Sequence, residues 1–151
     1  MERFRLDVHA SEEDLLGNIA EDVRRGLTSA QKYLLPKYFY DELGSQLFEQ
    51  ITQQPEYYPT RTERSLLSTS ARELMERVHP REMVELGSGS SYKTRVLLDA
   101  ASQNGGLPLY VPFDVSPSIV ESSAAALLNE YPTLDIHGVV GDFERHLPEV
   151  P

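Results

Sequence analysis

The residues best placed to do chemistry lie in one stretch, Met83-Val84-Glu85-Leu86-Gly87-Ser88-Gly89-Ser90-Ser91-Tyr92-Lys93-Thr94. A short apolar run carries a carboxylate, a glycine-rich turn follows, and apolar residues at helical spacing come next (Val96, Leu97, Leu98, Ala100, Ala101). Strand, tight turn and helix in that order open a doubly wound α/β nucleotide fold. Gly87 can take backbone angles closed to other residues. Gly89 has no Cβ, so a ligand can approach its backbone. The helix that follows points free N–H groups at whatever sits in the turn.

Three ligands compete for such a turn. A dinucleotide wants G-x-G-x-x-G/A, whose third small residue lets helix and strand pack closely; Tyr92 stands there and argues against it. A nucleoside triphosphate wants G-x-x-x-x-G-K-[ST]. Gly87 to Thr94 misses that pattern by one residue, again at Tyr92, where a side chain would crowd the phosphates. The run Leu109 to Asp114 resembles the strand and acidic end of a magnesium site. S-adenosyl-L-methionine needs an acidic residue and G-x-G with no third glycine. Its sulfonium and ammonium suit an acidic rim better than a triphosphate does. The turn favours the methyl donor; a phosphate-loop NTPase and a purely structural glycine turn stay open.

Composition narrows the classes. The chain has 151 residues and 40% apolar content, enough for one domain with a core. A net charge of −10 disfavours nucleic acid, whose phosphates need clustered Lys and Arg, and anionic membranes. No cysteine is present, which excludes disulfides, thiolate metal sites and cysteine nucleophiles; no metal site is expected. The first residues, MERFRLDVHASEED, are charged throughout and unlike a signal peptide, and no apolar run is long enough for a membrane span. A soluble cytoplasmic protein is the expectation.

The elements that must position the turn follow from periodicity. Residues 1–10 read as an extended arm. Ser11 suits an N-cap, and Leu15, Leu16, Ile19, Ala20, Val23 and Leu27 predict a helix over 12–26. A short helix is expected over 44–53, stopped by Pro55. Pro55-Glu56-Tyr57-Tyr58-Pro59 then reads as a rigid loop whose tyrosines either grip a ligand or pack half-buried. Thr60-Arg61-Thr62-Glu63 fits a capping box, so a helix should start near Arg61, bury Leu66, Leu67, Ala71, Leu74, Met75 and Val78, and close at His79-Pro80. Everything to this point is helical: residues 1–80 form an N-terminal helical cap.

From Arg81 strands and helices alternate, so residues 81–151 form an α/β domain. Strands are expected at 82–86, 108–113 and 134–140, with helices at 92–103 and from Pro117 to about Asn129. Ser116 or Ser118 should cap the second. Pro112 removes a ladder donor and belongs at a bulge or strand end. Asp114 ends the second strand, which puts a carboxylate beside the glycine turn at a ligand's ribose hydroxyls. Asp142 ends the third. Three strand ends converging on one crevice point to a nucleoside-type site.

Several stretches resemble the histidine-specific N-α-methyltransferases of ergothioneine biosynthesis: Lys37-Tyr38-Phe39-Tyr40-Asp41-Glu42-Leu43-Gly44-Ser45, Pro55-Glu56-Tyr57-Tyr58-Pro59-Thr60-Arg61-Thr62-Glu63, the glycine turn from Glu85, Pro112-Phe113-Asp114-Val115 and Gly141-Asp142-Phe143. The resemblance implies the first three β/α units of a Rossmann-like class I methyltransferase core behind a substrate-side helical cap. It implies three successive methyl transfers from S-adenosyl-L-methionine to the amino nitrogen of L-histidine. By position, Gly87, Ser88, Gly89, Lys93 and Asp114 would bind the cofactor, and Asp142 and Phe143 its adenine. Tyr57 would contact the histidine, with Tyr40 and Phe48 nearby; no residue is assigned a covalent catalytic role. Members of that family are longer, and their sheet has more strands than the three legible here. The chain is therefore expected to be a fragment that does not methylate histidine by itself and whose open sheet edge invites self-association. The remaining alternatives are the NTPase and a non-catalytic module that binds an adenosyl ligand or completes its sheet with a partner.

Overall fold

The computed structural model describes residues 3–9, 12–39 and 41–151, the side chains of 12–18 and 42 excepted. The proposed cap Ser11 and the substrate candidate Tyr40 lie outside the described residues.

Four parallel strands form one sheet in the order β1-β4-β3-β2: β1 (Phe4–Val8), β2 (Glu82–Leu86), β3 (Leu109–Asp114) and β4 (Asp135–Val140). The helices are α1 (Glu12–Thr28), α2 (Glu42–Thr52), α3 (Tyr58–Val78), α4 (Thr94–Ser102), α5 (Pro117–Glu130) and the single turn α6 (Phe143–His146). The chain divides into two compact units, residues 1–9 with 59–151, and residues 10–58.

The sheet unit is built on β3, which is buried on both faces from Tyr110 to Phe113. Such a strand reads as a continuous apolar run because helices or loops cover both sides of a parallel sheet. Register places Met83, Tyr110, Ile136 and Phe4 in one row across it. That row packs with Leu98, Ala100 and Ala101 of α4, Ala124 and Leu127 of α5, and Ala71 and Met75 of α3. On the other face Val111, Phe113 and Val139 pack with Leu109 and Val150. Burying a side chain of this size contributes about 1.5–3 kcal/mol.

Four expectations change. The extended arm is a strand: β1 pairs with β4 from Phe4↔Ile136 to Val8↔Val140, so the sheet has four strands where three are legible. Arg3 secures it by donating to the carbonyls of Leu128, Tyr131, Pro132 and Leu134 at and just beyond the C-terminal end of α5, where a cation is favoured. Helix α3 groups with this unit and not with the helices before it, so the expected cap over 1–80 does not coincide with either compact unit.

Pro112 sits inside the central strand with no bulge. The β3–β4 register holds one offset, from Leu109↔Asp135 and Tyr110↔Ile136 to Phe113↔Val139 and Asp114↔Val140. The missing donor costs ladder pairing only between those points. Finally, α3 begins at Tyr58, three residues ahead of the predicted start. Thr60 and Glu63 then lie within its first turns, and the Glu63 carboxylate accepts from Lys93 Nζ at 2.7 Å instead of closing a capping box. Of the six residues expected on its buried face, Ala71 and Met75 are buried; Leu66, Leu74 and Val78 are exposed.

In the unit of residues 10–58, α2 is capped by Asp41, whose carboxylate takes the Gly44 N–H at 2.7 Å. Helix α1 buries Asp22, which receives Tyr38 Oη at 2.6 Å, Lys37 Nζ at 3.2 Å and the Arg25 guanidinium. No helix of the described residues is long and apolar enough to cross a membrane.

Candidate functional site

The glycine turn leaves β2 at its carboxyl end and is fastened strand by strand. Gly87 (φ 73°) and Ser88 donate their N–H groups to the Phe113 carbonyl at 2.8 and 3.2 Å. Gly89 (φ 50°) donates to Asp114 Oδ2 at 2.9 Å, and Asp114 Oδ1 accepts the Ser116 N–H at 3.1 Å. The positive φ explains both glycines. A Cβ at Gly89 would meet nothing within 4 Å among the described residues, so the space over this backbone is open.

The end of β4 completes the crevice. Asp142 caps α6 by accepting the Glu144 N–H at 2.8 Å, and its own N–H donates to His146 Nδ1 at 2.9 Å. This aims Phe143 at Phe113, the rings stacked 4.9 Å apart at 27°. The tip of Phe143 lies 3.8 Å from where a Gly87 Cβ would be. Gly87, Ser88, Gly89, Asp114, Asp142 and Phe143 thus lie together at the carboxyl ends of β2, β3 and β4.

A layer beneath the turn is not legible in the sequence. Glu85 Oε2 accepts from Thr94 Oγ1 and from the Tyr110 hydroxyl, each at 2.5 Å. Ser91 Oγ lies 3.0 Å from the same hydroxyl. Burial first, then the Glu85 charge, pushes the Tyr110 hydroxyl far above its usual range, so it stays a donor to Glu85 and takes its second hydrogen bond from Ser91. Glu85 was expected on an acidic rim; its carboxylate instead holds the underside of the turn. The signal is long-range, joining a strand end to the next strand and to the following helix.

Lys93 and Tyr92 point elsewhere. Lys93 Nζ pairs with Glu63, and Tyr92 is half exposed under the Arg64 guanidinium, which lies 4.4 Å from the ring centroid. The Tyr92 side chain therefore does not crowd the turn. What counts against a phosphate loop is Thr94, whose hydroxyl would have to reach magnesium and is buried against Glu85.

The substrate candidates lie in the other compact unit. Phe48 and Tyr57 meet edge to face, centroids 6.0 Å apart at 79°. Tyr58 and Pro59, expected in a rigid loop with Tyr57, begin α3.

The cofactor fits what is present. Gly89 offers open backbone, Phe143 offers a partly exposed ring face, and a carboxylate has about four acceptor positions, so Asp114 keeps capacity after two backbone donors. Among the described residues the buried Ser88 Oγ has no hydrogen-bond partner.

A parallel α/β sheet with a glycine turn, a strand-end carboxylate and a stacked aromatic at its carboxyl edge defines a Rossmann-like methyltransferase fold. The chain belongs to the histidine-specific, S-adenosylmethionine-dependent methyltransferases, whose family model matches residues 19–151. It is 50% identical over 133 residues to histidine N-alpha-methyltransferase of Mycolicibacterium smegmatis, covering 88% of this chain and 41% of that protein. Ergothioneine biosynthesis protein 1 of Neurospora crassa is 35% identical over 106 residues, 70% of this chain and 12% of that protein. A 4-dimethylallyltryptophan N-methyltransferase of Claviceps purpurea is 28% identical over 143 residues, 89% of this chain and 40% of that protein. The chain thus spans about two-fifths of the length of the two methyltransferases.

Proposed function

We propose that this chain supplies the cofactor-binding part of a cytoplasmic histidine N-α-methyltransferase that makes the trimethylated betaine of the ergothioneine pathway. The observation that carries this is the joint fastening of Gly89 to Asp114 and of Phe143 over Gly87, with open space over the Gly89 backbone. When bound, S-adenosyl-L-methionine supplies a methyl group on a positively charged sulfur. Gly87, Ser88 and Gly89 receive it along the turn, Asp114 takes its ribose hydroxyls, and Asp142 and Phe143 take its adenine. Lys93 has three donors, so it can hold Glu63 and still offer one to the cofactor's carboxylate.

Tyr57, with Phe48 and Tyr40, holds the L-histidine substrate. The chain's task there is to present a neutral amine in line and exclude water, which can be worth about 7–11 kcal/mol. Aromatic faces stabilise the developing ammonium by about 0.5–2 kcal/mol each. The chain spans 41% of the length of the bacterial relative.

Calorimetric titration with S-adenosyl-L-methionine, and with ATP–magnesium in parallel, tests the reading. Binding of the methyl donor that falls at least ten-fold in Asp114→Ala supports it, since each lost charge-assisted hydrogen bond costs about 1.5–3 kcal/mol. Binding of ATP–magnesium instead would restore the phosphate-loop alternative.

A second reading concerns association. Strand β2 is an edge of the sheet, with Val84 and Leu86 exposed. Such an edge offers unpaired N–H and C=O groups to another strand. We propose that it pairs with the same edge of a second copy. Sedimentation should show a dimer that Val84→Lys dissociates; a wild-type monomer at high concentration would refute it.

A further inference from the structure

Two limbs of the glycine turn are fixed by different means. The incoming limb, Gly87 to Gly89, is held by β3 through Phe113 and Asp114. The outgoing limb, residues 90–93, must hold Ser91 at φ 52°, a conformation a side chain disfavours. A residue in that state persists only where its surroundings over-determine it. Some of those surroundings lie below and behind. Ser91 is buried against Tyr110, its N–H donates to the Ser88 carbonyl at 3.0 Å, and Arg95 Nη1 reaches the carbonyls of Ser90 and Ser91 at 3.2 and 3.0 Å.

The rest comes from outside, from two successive residues of α3. Arg64 lays its guanidinium on the Tyr92 ring and donates to the Tyr92 hydroxyl; Glu63 takes Lys93 Nζ at 2.7 Å. Neighbouring residues on one helix thus grip neighbouring residues on the turn. Tyr92 is half exposed and belongs to neither apolar cluster, so this contact does little for the core. What it fixes is the direction in which the chain leaves Ser91. A planar guanidinium suits that task because it stacks and donates at once, which an ammonium does not.

We propose that Arg64 and Glu63 are positioning residues that clamp the outgoing limb and hold the turn in its ligand-receiving shape. The proposal deepens the cofactor reading of the turn and rests on it for the affinity effect, but not for the clamp itself. It accounts for Tyr92, the residue that breaks both glycine motifs: it is the handle by which α3 holds the turn.

Hydrogen exchange of the Gly89 and Ser91 amides in the free protein tests it, with S-adenosyl-L-methionine affinity as the second readout. Arg64→Ala should speed exchange at both amides about ten-fold, with exchange in the middle of β3 and the melting temperature unchanged. Arg64→Lys, which keeps the charge and loses the plane, should recover less than half of that protection. Cofactor affinity should fall in step in each variant. Wild-type exchange at both amides in Arg64→Ala would overturn the clamp, as would equal acceleration through the whole sheet. If the wild-type chain binds no S-adenosyl-L-methionine while Arg64→Ala still loosens the two amides, the cofactor reading fails and the clamp stands.

Discussion

The two compact units spend their buried positions differently. In the unit of residues 1–9 and 59–151, Tyr110, Val111 and Phe113 of β3, Val139 of β4 and Val120, Ala124 and Leu127 of α5 are fully buried, and the site hangs from those strands. In the unit of residues 10–58, Leu27, Leu34, Phe39, Leu43, Leu47 and Ile51 are exposed, while the carboxylate of Asp22 is buried. One unit is held by apolar packing. The other is held, among its described residues, by a carboxylate that ties α1 to the segment carrying Lys37 and Tyr38. A cofactor turn gains from a rigid base, because its donors must already be in place when the ligand arrives.

Substitutions can sharpen or break this contrast. The largest effect is expected for Phe113→Ala, which empties a core position and removes the ring under Phe143. Denaturant unfolding should lose about 3–5 kcal/mol. Second is Asp22→Ala, which should raise hydrogen exchange along α1 and leave β3 protected; a parallel loss in β3 would mean the two units unfold as one.

Acid should reproduce part of that effect. The Tyr38 hydroxyl first, then Lys37, holds the Asp22 carboxyl below its ordinary value of 3.8. A carboxylate with a lowered folded value contributes stability above its unfolded value, and that contribution is lost as pH falls through the folded one. Exchange in α1 should therefore rise below about pH 4, and less so in Asp22→Asn. Smallest is Leu47→Ala, exposed on α2, which should stay within about 0.5 kcal/mol of wild type. A larger loss would show that the apolar face of α2 is covered in solution.

Most of the sheet was legible because the pattern there is local. Strand, glycine break and helix follow one another from Glu82 to Val140, and the strand ends bring Asp114 and Asp142 to the edge where the turn lies. Strand β1 is harder to read: Phe4, Leu6 and Val8 alternate with Arg5 and Asp7 as in a half-buried strand, but the run is five residues long and its partner lies at the far end of the chain. Glu63 departs from its local pattern for a similar reason. A capping box is a local rule, and the Lys93 ammonium, distant in sequence and near in space, won its carboxylate. Tyr110 looked like one more apolar strand residue, and nothing around it in sequence announces that its hydroxyl supports the turn. The cofactor role of Lys93 comes from the resemblance, since the lysine's own sequence context is that of an ordinary surface residue.

The pairing of Phe4 with Ile136 also sets an order of events during synthesis. A ribosome adds about 5–20 residues per second. Strand β1 leaves the exit tunnel with its partner still unmade, and waits on the order of ten seconds for β4 to emerge. Until then its backbone groups have water or a chaperone as company, and only the arrival of β4 seals that side of the sheet. An N-terminal fusion placed against Phe4 would therefore be felt only once β4 has emerged, well after Phe4 itself is made.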